Sequence, residues 1–238
     1  MKYGEVIHVS KWAITKRYGE KIKKYYFFNH LPKIQKEINL LRLCSNIDSQ
    51  LYFDTEVMKW VAEMPYINLH PIFDIQNIDD TLTQLSCILN TWNDDFYSSF
   101  VLNDWDSSMK PYFINILSQY LYEAKEFILY LSTTKSEHFI HGDFMLSNIQ
   151  EDNNHNIVVL DFENATIGPL LWDETTLVYS LIEEKKYHIA WKVFNMFQCS
   201  YMMLVTIAAI RLAQSRKKSQ NEMRRYEAYN FICKYFTS

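Results

Sequence analysis

Three side chains with hard oxygen atoms are spaced along the middle of the chain in a pattern that could bind a metal ion. Asp143 is followed by Asn148 five residues later and by Asp161 eighteen residues later. Carboxylate and amide oxygens suit Mg²⁺, which proteins usually bind together with the phosphates of a substrate. The spacing therefore predicts a magnesium site at Asn148 and Asp161, with the Asp143 carboxylate available to a reacting group.

The residues around these side chains predict the elements that hold them in place. The apolar residues 157–160 indicate a buried strand that ends at Asp161, and residues 152–156 (DNNHN) are typical of a hairpin turn before it. The chain has only four glycines, and two of them, Gly142 and Gly168, lie in this segment. We expect that a side chain would not fit at either position.

Residues 138–173 contain the blocks His141-Gly142-Asp143, Asp161-Phe162-Glu163 and Trp172-Asp173. This segment resembles the catalytic segment of the aminoglycoside phosphotransferase and choline kinase family, whose members are small-molecule relatives of the protein kinases. The resemblance implies an α+β, two-lobed protein kinase-like fold with a small β-rich N-terminal lobe and a mainly helical C-terminal lobe. It places nucleotide binding in residues 1–63, and catalysis and acceptor binding in residues 64–238. Only residues 141–173 match the family specifically.

The resemblance also implies a role for each residue of the segment. Asp143 and His141 form the catalytic set, in which Asp143 is the base and His141 braces the catalytic loop through hydrogen bonds. Asp173 would accept backbone N–H groups of that loop, although it could instead be an ordinary helix cap. Gly142 leaves room for the substrate or for a tight backbone turn. Glu163 either assists the metal or forms a local hydrogen bond.

In this family a strand lysine holds the α- and β-phosphates of the nucleotide, and a helix carboxylate holds the lysine in place. Glu37, in a predicted helix, is the carboxylate that the sequence favours. Lys23 is the first choice for the lysine because it follows the apolar Ile22 and would face away from the packed side of its strand. Lys16 and Lys24 remain alternatives.

The sequence lacks the glycine-rich loop with which protein kinases cover the phosphates. Ser10, in the turn between the first two predicted strands, could donate to a phosphate or serve only as a turn residue. The missing loop favours an alternative function, a catalytically degenerate kinase-like protein that binds a nucleotide or a partner. The intact set Asp143, Asn148 and Asp161 opposes it. A metal hydrolase using His141, Asp143 and Asp161 is a further alternative, although the other histidines show no ligand spacing around them.

The resemblance implies ATP or GTP and Mg²⁺ as cofactors, and a hydroxyl group of a small molecule as the acceptor. An aminoglycoside, choline or another amino alcohol, a sugar and a vitamin precursor are all compatible with the sequence, and the acceptor could be cationic. The oligomeric state is left open. A net charge of −4 gives no reason to expect nucleic acid as a partner.

The four cysteines form no C-x-x-C pair, so free thiols in a cytoplasmic protein are expected. The longest apolar run, residues 201–210, is too short to span a bilayer, and no membrane association is expected. Periodicity predicts strands within residues 3–28 and 51–63. It predicts helices within residues 34–43, 78–92 and 109–131, and from residue 172 to the C-terminus.

Overall fold

The computed structural model describes residues 4–10, 12–27, 30–73, 78–95 and 103–236, and only the backbone of residues 93–95 and 103–104. The backbone divides into two compact units. The first contains Met1–Gln76 and Ser147–Glu163, and the second contains Asn77–Leu146 and Asn164–Ser238. Asp143 therefore belongs to the second unit, whereas Asn148 and Asp161 belong to the first.

The strands, in chain order, are β1 (Glu5–Val9), β2 (Ala13–Tyr18), β3 (Lys21–Tyr26), β4 (Gln50–Asp54), β5 (Lys59–Pro65), β6 (Leu69–Pro71), β7 (Asn103–Asp104), β8 (His138–Ile140), β9 (Ile149–Asp152), β10 (Ile157–Val159) and β11 (Thr166–Gly168). The helices are α1 (Leu31–Ser45), α2 (Ile78–Asp95), α3 (Met109–Tyr120), α4 (Lys125–Thr133), α5 (Trp172–Glu183), α6 (Tyr187–Met196), α7 (Tyr201–Lys218) and α8 (Glu222–Tyr235). Short 3₁₀ turns lie at Leu146–Asn148 and Phe162–Asn164.

The described part of the first unit contains a five-stranded antiparallel sheet in the order β1-β2-β3-β5-β4. In this sheet Lys24 of β3 lies between Thr15 of β2 and Ala62 of β5. Helix α1 has a proline, Pro32, in its first turn, where the missing N–H needs no intrahelical partner. The helix buries Glu37 together with its apolar neighbours, so this carboxylate is held by packed secondary structure.

A smaller sheet in the same unit has the order β10-β9-β6. Strands β9 and β10 form an antiparallel hairpin, and Asp152 closes its turn by accepting the N–H groups of Asn154 (2.8 Å) and Asn156 (2.9 Å). Asn148 precedes β9 and Asp161 follows shortly after β10, so the two residues lie at the same end of the hairpin. The hairpin that the sequence predicts is thus confirmed.

The described residues of the second unit are mainly helical. Its small sheet has the order β7-β11-β8, and the predicted catalytic loop, which begins at His141, directly follows β8. Helix α7 is buried along most of its length, from Met203 to Ala213. The predicted α+β class, with a β-rich N-terminal part and a helical C-terminal part, is confirmed.

The single helix predicted over residues 109–131 is wrong, since α3 ends at Tyr120 and α4 begins at Lys125. Leu121 is extended, with φ −131° and ψ 115°, and Arg216 donates to the Tyr120 carbonyl at 3.1 Å. This tertiary hydrogen bond satisfies a carbonyl at the end of α3 that would otherwise lack a partner. Strand β6 was not predicted either, because it is three residues long and pairs with a distant strand.

The four cysteines are free thiols, as predicted. Among the described residues, no helix combines the length and the apolar character that crossing a bilayer requires.

Candidate active site

A buried ion pair joins the central sheet of the first unit to its helix. The Nζ of Lys24 donates to Oε1 of Glu37 at 2.5 Å, and the Tyr26 hydroxyl donates to Oε2 of the same carboxylate at 3.1 Å. Glu37 is only 4% exposed. Burial lowers the pKa of Lys24, but the carboxylates of Glu37 and Asp161 outweigh it, so the pKa of Lys24 is raised. Lys24 is therefore a fixed, charged ammonium group.

The structure corrects the pairing that the sequence favoured, because Lys23 is not the lysine that contacts Glu37. Alternate residues of a strand point to opposite faces, so Lys24 and Tyr26 share one face of β3 and Lys23 lies on the other. Lys23 donates to the Tyr52 hydroxyl at 3.0 Å and lies 3.2 Å from Oε2 of Glu63. Lys16, the other alternative, is directly opposite Lys23 in the sheet.

Ser10 lies in the turn that connects β1 and β2. Its Oγ accepts the N–H groups of Trp12 at 3.2 Å and of Ala13 at 3.0 Å. Such side-chain to backbone hydrogen bonds are typical of a serine that stabilises a turn. A contact of Ser10 with a phosphate stays a prediction.

The two predicted metal ligands are brought together by the β9–β10 hairpin. The N–H of Leu160 donates to the Asn148 carbonyl at 2.8 Å, which ties the backbone before Asp161 to that of Asn148. Asp161 has a φ of +63°, in the left-handed region that few residues other than glycine adopt. Such strain persists where the surrounding structure fixes it, and it is frequent at functional sites.

Both a carboxylate and a lysine interact electrostatically with Asp161, namely Glu163 and Lys24. Glu163 lies two residues further on, and burial together with the charge of Asp161 raises the pKa of the Glu163 carboxyl. Lys33 approaches Glu163 at 3.9 Å. The Asn148 amide and the Asp161 carboxylate, together with phosphate oxygens, would form a suitable donor set for Mg²⁺. Within the described residues, no group of three or more His, Cys, Asp or Glu side chains is arranged to hold a metal ion.

In the second unit, Asp173 holds the backbone of the predicted catalytic loop. Its Oδ2 accepts the N–H of His141 at 2.5 Å and its Oδ1 accepts the N–H of Gly142 at 3.0 Å. Asp173 is the second residue of α5, and Leu171 occupies the N-cap position. The Asp173 carboxylate therefore anchors the loop and does not cap the helix. Burial, followed by the charge of Glu174, raises the pKa of Asp173 to about 8, against the opposing effect of the two N–H donors.

His141 is fully buried beneath the same loop. Its Nδ1 accepts the N–H of Asp143 at 3.3 Å, an arrangement that assigns the ring proton to Nε2. Trp92 stacks on the imidazole at a centroid distance of 6.4 Å, and Phe144 contacts its edge at 5.8 Å. The ring therefore has the position of a brace for the backbone of Asp143.

Gly142 adopts a φ of +81°, and a Cβ at this position would lie 2.5 Å from the carbonyl oxygen of Asn164. At Gly168 a Cβ would lie 2.3 Å from Cδ1 of Ile140. The prediction that side chains would not fit at these two glycines is confirmed. At Gly142 the space is filled by backbone, which favours the tight-turn explanation over room for a substrate.

Replacing Gly142 with alanine should lower the free energy of unfolding by about 2 to 4 kcal/mol, because the variant combines left-handed strain with a backbone overlap. Gly19→Ala is the matched control. Gly19 also has a positive φ, of +65°, but no described heavy atom lies within 4 Å of the added Cβ. This control should lose only about 1 kcal/mol. Urea denaturation compares them, and equal losses would mean that the Asn164 contact has no energetic effect.

The predicted catalytic loop has a partner that sequence reasoning missed. The Nη2 of Arg211, on α7, donates to Oδ1 of Asp143, and the two side chains are 18% and 28% exposed. Burial lowers the pKa of Arg211, but the Asp143 carboxylate outweighs it and the pKa is raised. The available signal was an arginine that directly follows the apolar run 201–210 in a buried helix.

The sequence profile of one protein family, described as the phosphotransferase enzyme family, matches residues 37–187, which is more than half of the chain. The chain belongs to the phosphotransferase enzyme family. The matched range of this phosphotransferase includes Glu37, Asp143, Asn148, Asp161 and Asp173. Lys24 and Arg211 lie outside it. No curated protein sequence matches the chain.

Solved structures with this fold include kinases of small molecules. Choline kinase LicA from Streptococcus pneumoniae superposes with a TM-score of 0.62 at 15% identity, over 97% of this chain and 91% of that one. A thermostable mutant of aminoglycoside phosphotransferase APH(4)-Ia gives a TM-score of 0.67 at 11% identity, over 98% and 94% of the two chains. Amicoumacin kinase hAmiN, in complex with AMP-PNP, Ca²⁺ and Ami, gives a TM-score of 0.66 at 10% identity, over 95% of this chain and 88% of that one. The protein kinase-like fold is thereby confirmed.

Proposed function

We propose that this phosphotransferase moves the γ-phosphate of ATP or GTP to a hydroxyl group of a small molecule, with Mg²⁺ as the metal. The observation that carries the proposal is the electrostatic cluster of the first unit, in which Lys24 interacts with both Glu37 and Asp161. A lysine fixed by a carboxylate and followed by a metal-binding carboxylate is the combination that nucleotide phosphates require.

The residues of the first unit would bind the nucleotide. Lys24 would donate to the phosphate oxygens, while Glu37 and Tyr26 keep its ammonium group in one place. Asn148 and Asp161 would hold Mg²⁺, which neutralises phosphate charge when bound. This assignment places the nucleotide in the lobe that the sequence delimits at residues 1–63, together with the β9–β10 hairpin.

The catalytic loop of the second unit would act on the acceptor. Asp143 would accept or orient the proton of the attacking hydroxyl, which is the small covalent contribution that phosphoryl transfer needs from a protein. Asp173, Gly142 and His141 would keep the loop in shape, since they fix its backbone amides and its turn. The rest of residues 64–238, outside the β9–β10 hairpin, would supply the acceptor site.

The structures that resemble this chain support this class of reaction. One is a choline kinase, one is an amicoumacin kinase in complex with AMP-PNP, Ca²⁺ and Ami, and one is APH(4)-Ia in a ternary complex with ADP and hygromycin B. An amino alcohol, an aminoglycoside, a sugar or a vitamin precursor is therefore a reasonable acceptor for this chain.

A panel of hydroxylated metabolites and antibiotics tests the proposal through ADP formation in the presence of MgATP. We expect at least one compound to stimulate ADP formation, and EDTA to abolish the stimulation. MgATP binding without turnover on any compound would favour the degenerate kinase-like protein. Turnover that requires Zn²⁺ and no nucleotide would favour the metal hydrolase.

Replacing Asp161 with asparagine should raise the dissociation constant of MgATP by about tenfold or more, because the variant loses a charged metal ligand. Glu151→Gln is the matched control, since it removes a carboxylate from the same hairpin, where Glu151 pairs with His155. Calorimetric titration with MgATP measures both variants. An unchanged affinity in Asp161→Asn would exclude Asp161 as a metal ligand.

A further inference from the structure

The carboxylate proposed to act as the base has a fixed cation beside it. Arg211 donates from Nη2 to Oδ1 of Asp143, and its guanidinium is largely buried. Arg211 lies in α7 between buried residues, Ile210 before it and Leu212 after it. A planar guanidinium on a packed helix loses little freedom when it forms such a bond, and it constrains the direction of the carboxylate.

Neighbouring helices hold Arg211 in turn. The Nη1 of Arg225, on α8, donates to the Arg211 carbonyl at 3.0 Å. Glu183, at the end of α5, lies 3.5 Å from Nε of Arg225 and also contributes to the raised pKa of Arg211. Arg211 therefore reaches Asp143 from α7, while α8 supplies a hydrogen bond to its backbone and α5 supplies a nearby carboxylate.

We propose that Arg211 is a positioning residue, which keeps the Asp143 carboxylate ionised and in one orientation towards the acceptor hydroxyl and thereby sets the rate of transfer. The inference rests on the proposed function. Phosphoryl transfer through a loose transition state needs an oriented carboxylate more than a strong base. A cation next to the carboxylate supplies orientation at the expense of basicity, which suits that need.

Several other charged or titratable groups face this ion pair, and the variants that are compared must all retain them. They are His141 of the catalytic loop, Asp173, Tyr179 and Glu183 of α5, and Arg225 of α8. None of them is changed in the experiment below.

The test compares Arg211→Gln, Arg211→Lys and Arg216→Gln. Arg216 is the matched control because it lies on the same helix and its described partners are Glu222, at 3.1 Å, and the Tyr120 carbonyl. We expect Arg211→Gln to lower kcat by about 10- to 100-fold, since misplacement of a reacting group by about 1 Å can cost about 100-fold. The KM for ATP should stay within about threefold, because that constant reports on the first unit.

The pH dependence separates positioning from a structural effect. In Arg211→Gln the acid limb of the kcat profile should move up by about one pH unit, as a carboxylate without its cation protonates more readily. Arg211→Lys should restore part of the rate and return the acid limb towards its original position, and Arg216→Gln should leave both unchanged. Wild-type kcat in Arg211→Gln, or a slower variant with an unmoved acid limb that lysine does not rescue, would overturn the proposal.

A ¹³C NMR titration of the Asp143 carboxyl, assigned with Asp143→Asn, provides a readout that needs no turnover. Its midpoint should move to higher pH in Arg211→Gln, and an unmoved midpoint would overturn the ion pair itself. If the wild-type protein transfers no phosphate, the proposed function is overturned, and so is the effect of Arg211 on the rate. A shifted titration midpoint of Asp143 in Arg211→Gln would still support the ion pair. The two failures are therefore distinguishable.

Discussion

Replacing Asp143 with asparagine is expected to lower turnover by about 100- to 10,000-fold, the range in which positioned general bases contribute to catalysis. The amide has nearly the same shape as the carboxylate, but it cannot accept the proton of the attacking hydroxyl. The affinity for MgATP should change by no more than a few fold, because Lys24, Glu37 and Asp161 belong to the other compact unit. The variant thus removes an interaction of the transition state without removing a contact to the nucleotide.

A coupled assay of ADP release and a calorimetric titration with MgATP measure these two quantities. Asp106→Asn is the matched control. Asp106 also pairs with a cation, Lys110 at 2.8 Å, and it accepts a hydrogen bond from Ser136 in the same unit, yet nothing assigns it to the reaction. Asp143→Asn also leaves Arg211 without its counter-ion, so the unfolding transition of each variant is compared as well. Turnover within tenfold of the wild type would contradict the role of Asp143.

Lys24→Met is expected to raise the KM for ATP by about 10- to 100-fold, since a hydrogen bond to a charged group contributes about 1.5 to 3 kcal/mol. Lys23→Met is the matched control and should leave the KM within about twofold. The two lysines are consecutive in β3, but Lys24 pairs with Glu37 and Lys23 with Tyr52 and Glu63. The comparison therefore isolates the face of the strand on which the ammonium group lies.

Loss of Lys24 alone leaves a buried Glu37 without its cation, which is destabilising. The double variant Lys24→Met/Glu37→Gln removes that unpaired charge and keeps the comparison valid if the single variant folds poorly. The opposite pattern, with Lys23→Met impaired and Lys24→Met normal, would return the phosphate contact to the lysine that the sequence favoured.

The choice of Lys23 over Lys24 as the partner of Glu37 was wrong because the sequence of β3 does not show which of its faces is packed. Lys21–Tyr26 reads KIKKYY, with lysine and with apolar or aromatic residues on both faces. Hydrophobic alternation therefore does not define which face is packed, and a shift by one residue exchanges Lys23 and Lys24. The packing of α1 defines it, because that helix brings Glu37 to the face of Lys24 and Tyr26.

The β9–β10 hairpin was predictable because its determinants are local. An apolar strand, a turn rich in Asp and Asn, and the polar residues at either end all lie within 14 residues, from Asn148 to Asp161. The contact of Asp173 with the catalytic loop was available only through the family resemblance, since it links residues 31 and 32 positions apart.

Arg211 shows where sequence reasoning stops. The residue is 68 positions from Asp143, and helical periodicity treats an arginine after an apolar run as the polar end of that run. Only the packing of α7 in the second unit brings the guanidinium to the carboxylate. The break between α3 and α4 has the same origin, because a tertiary donor, Arg216, completes the end of α3.

Transfer of radiolabel from [γ-³²P]ATP to a panel of hydroxylated small molecules tests the central claim most directly. The wild-type protein should label at least one acceptor, the labelling should require Mg²⁺, and Asp143→Asn should reduce it by at least about 100-fold. MgATP binding without labelling of any acceptor, or labelling that is equal in Asp143→Asn, would contradict the assignment of this chain as a small-molecule kinase that uses Asp143.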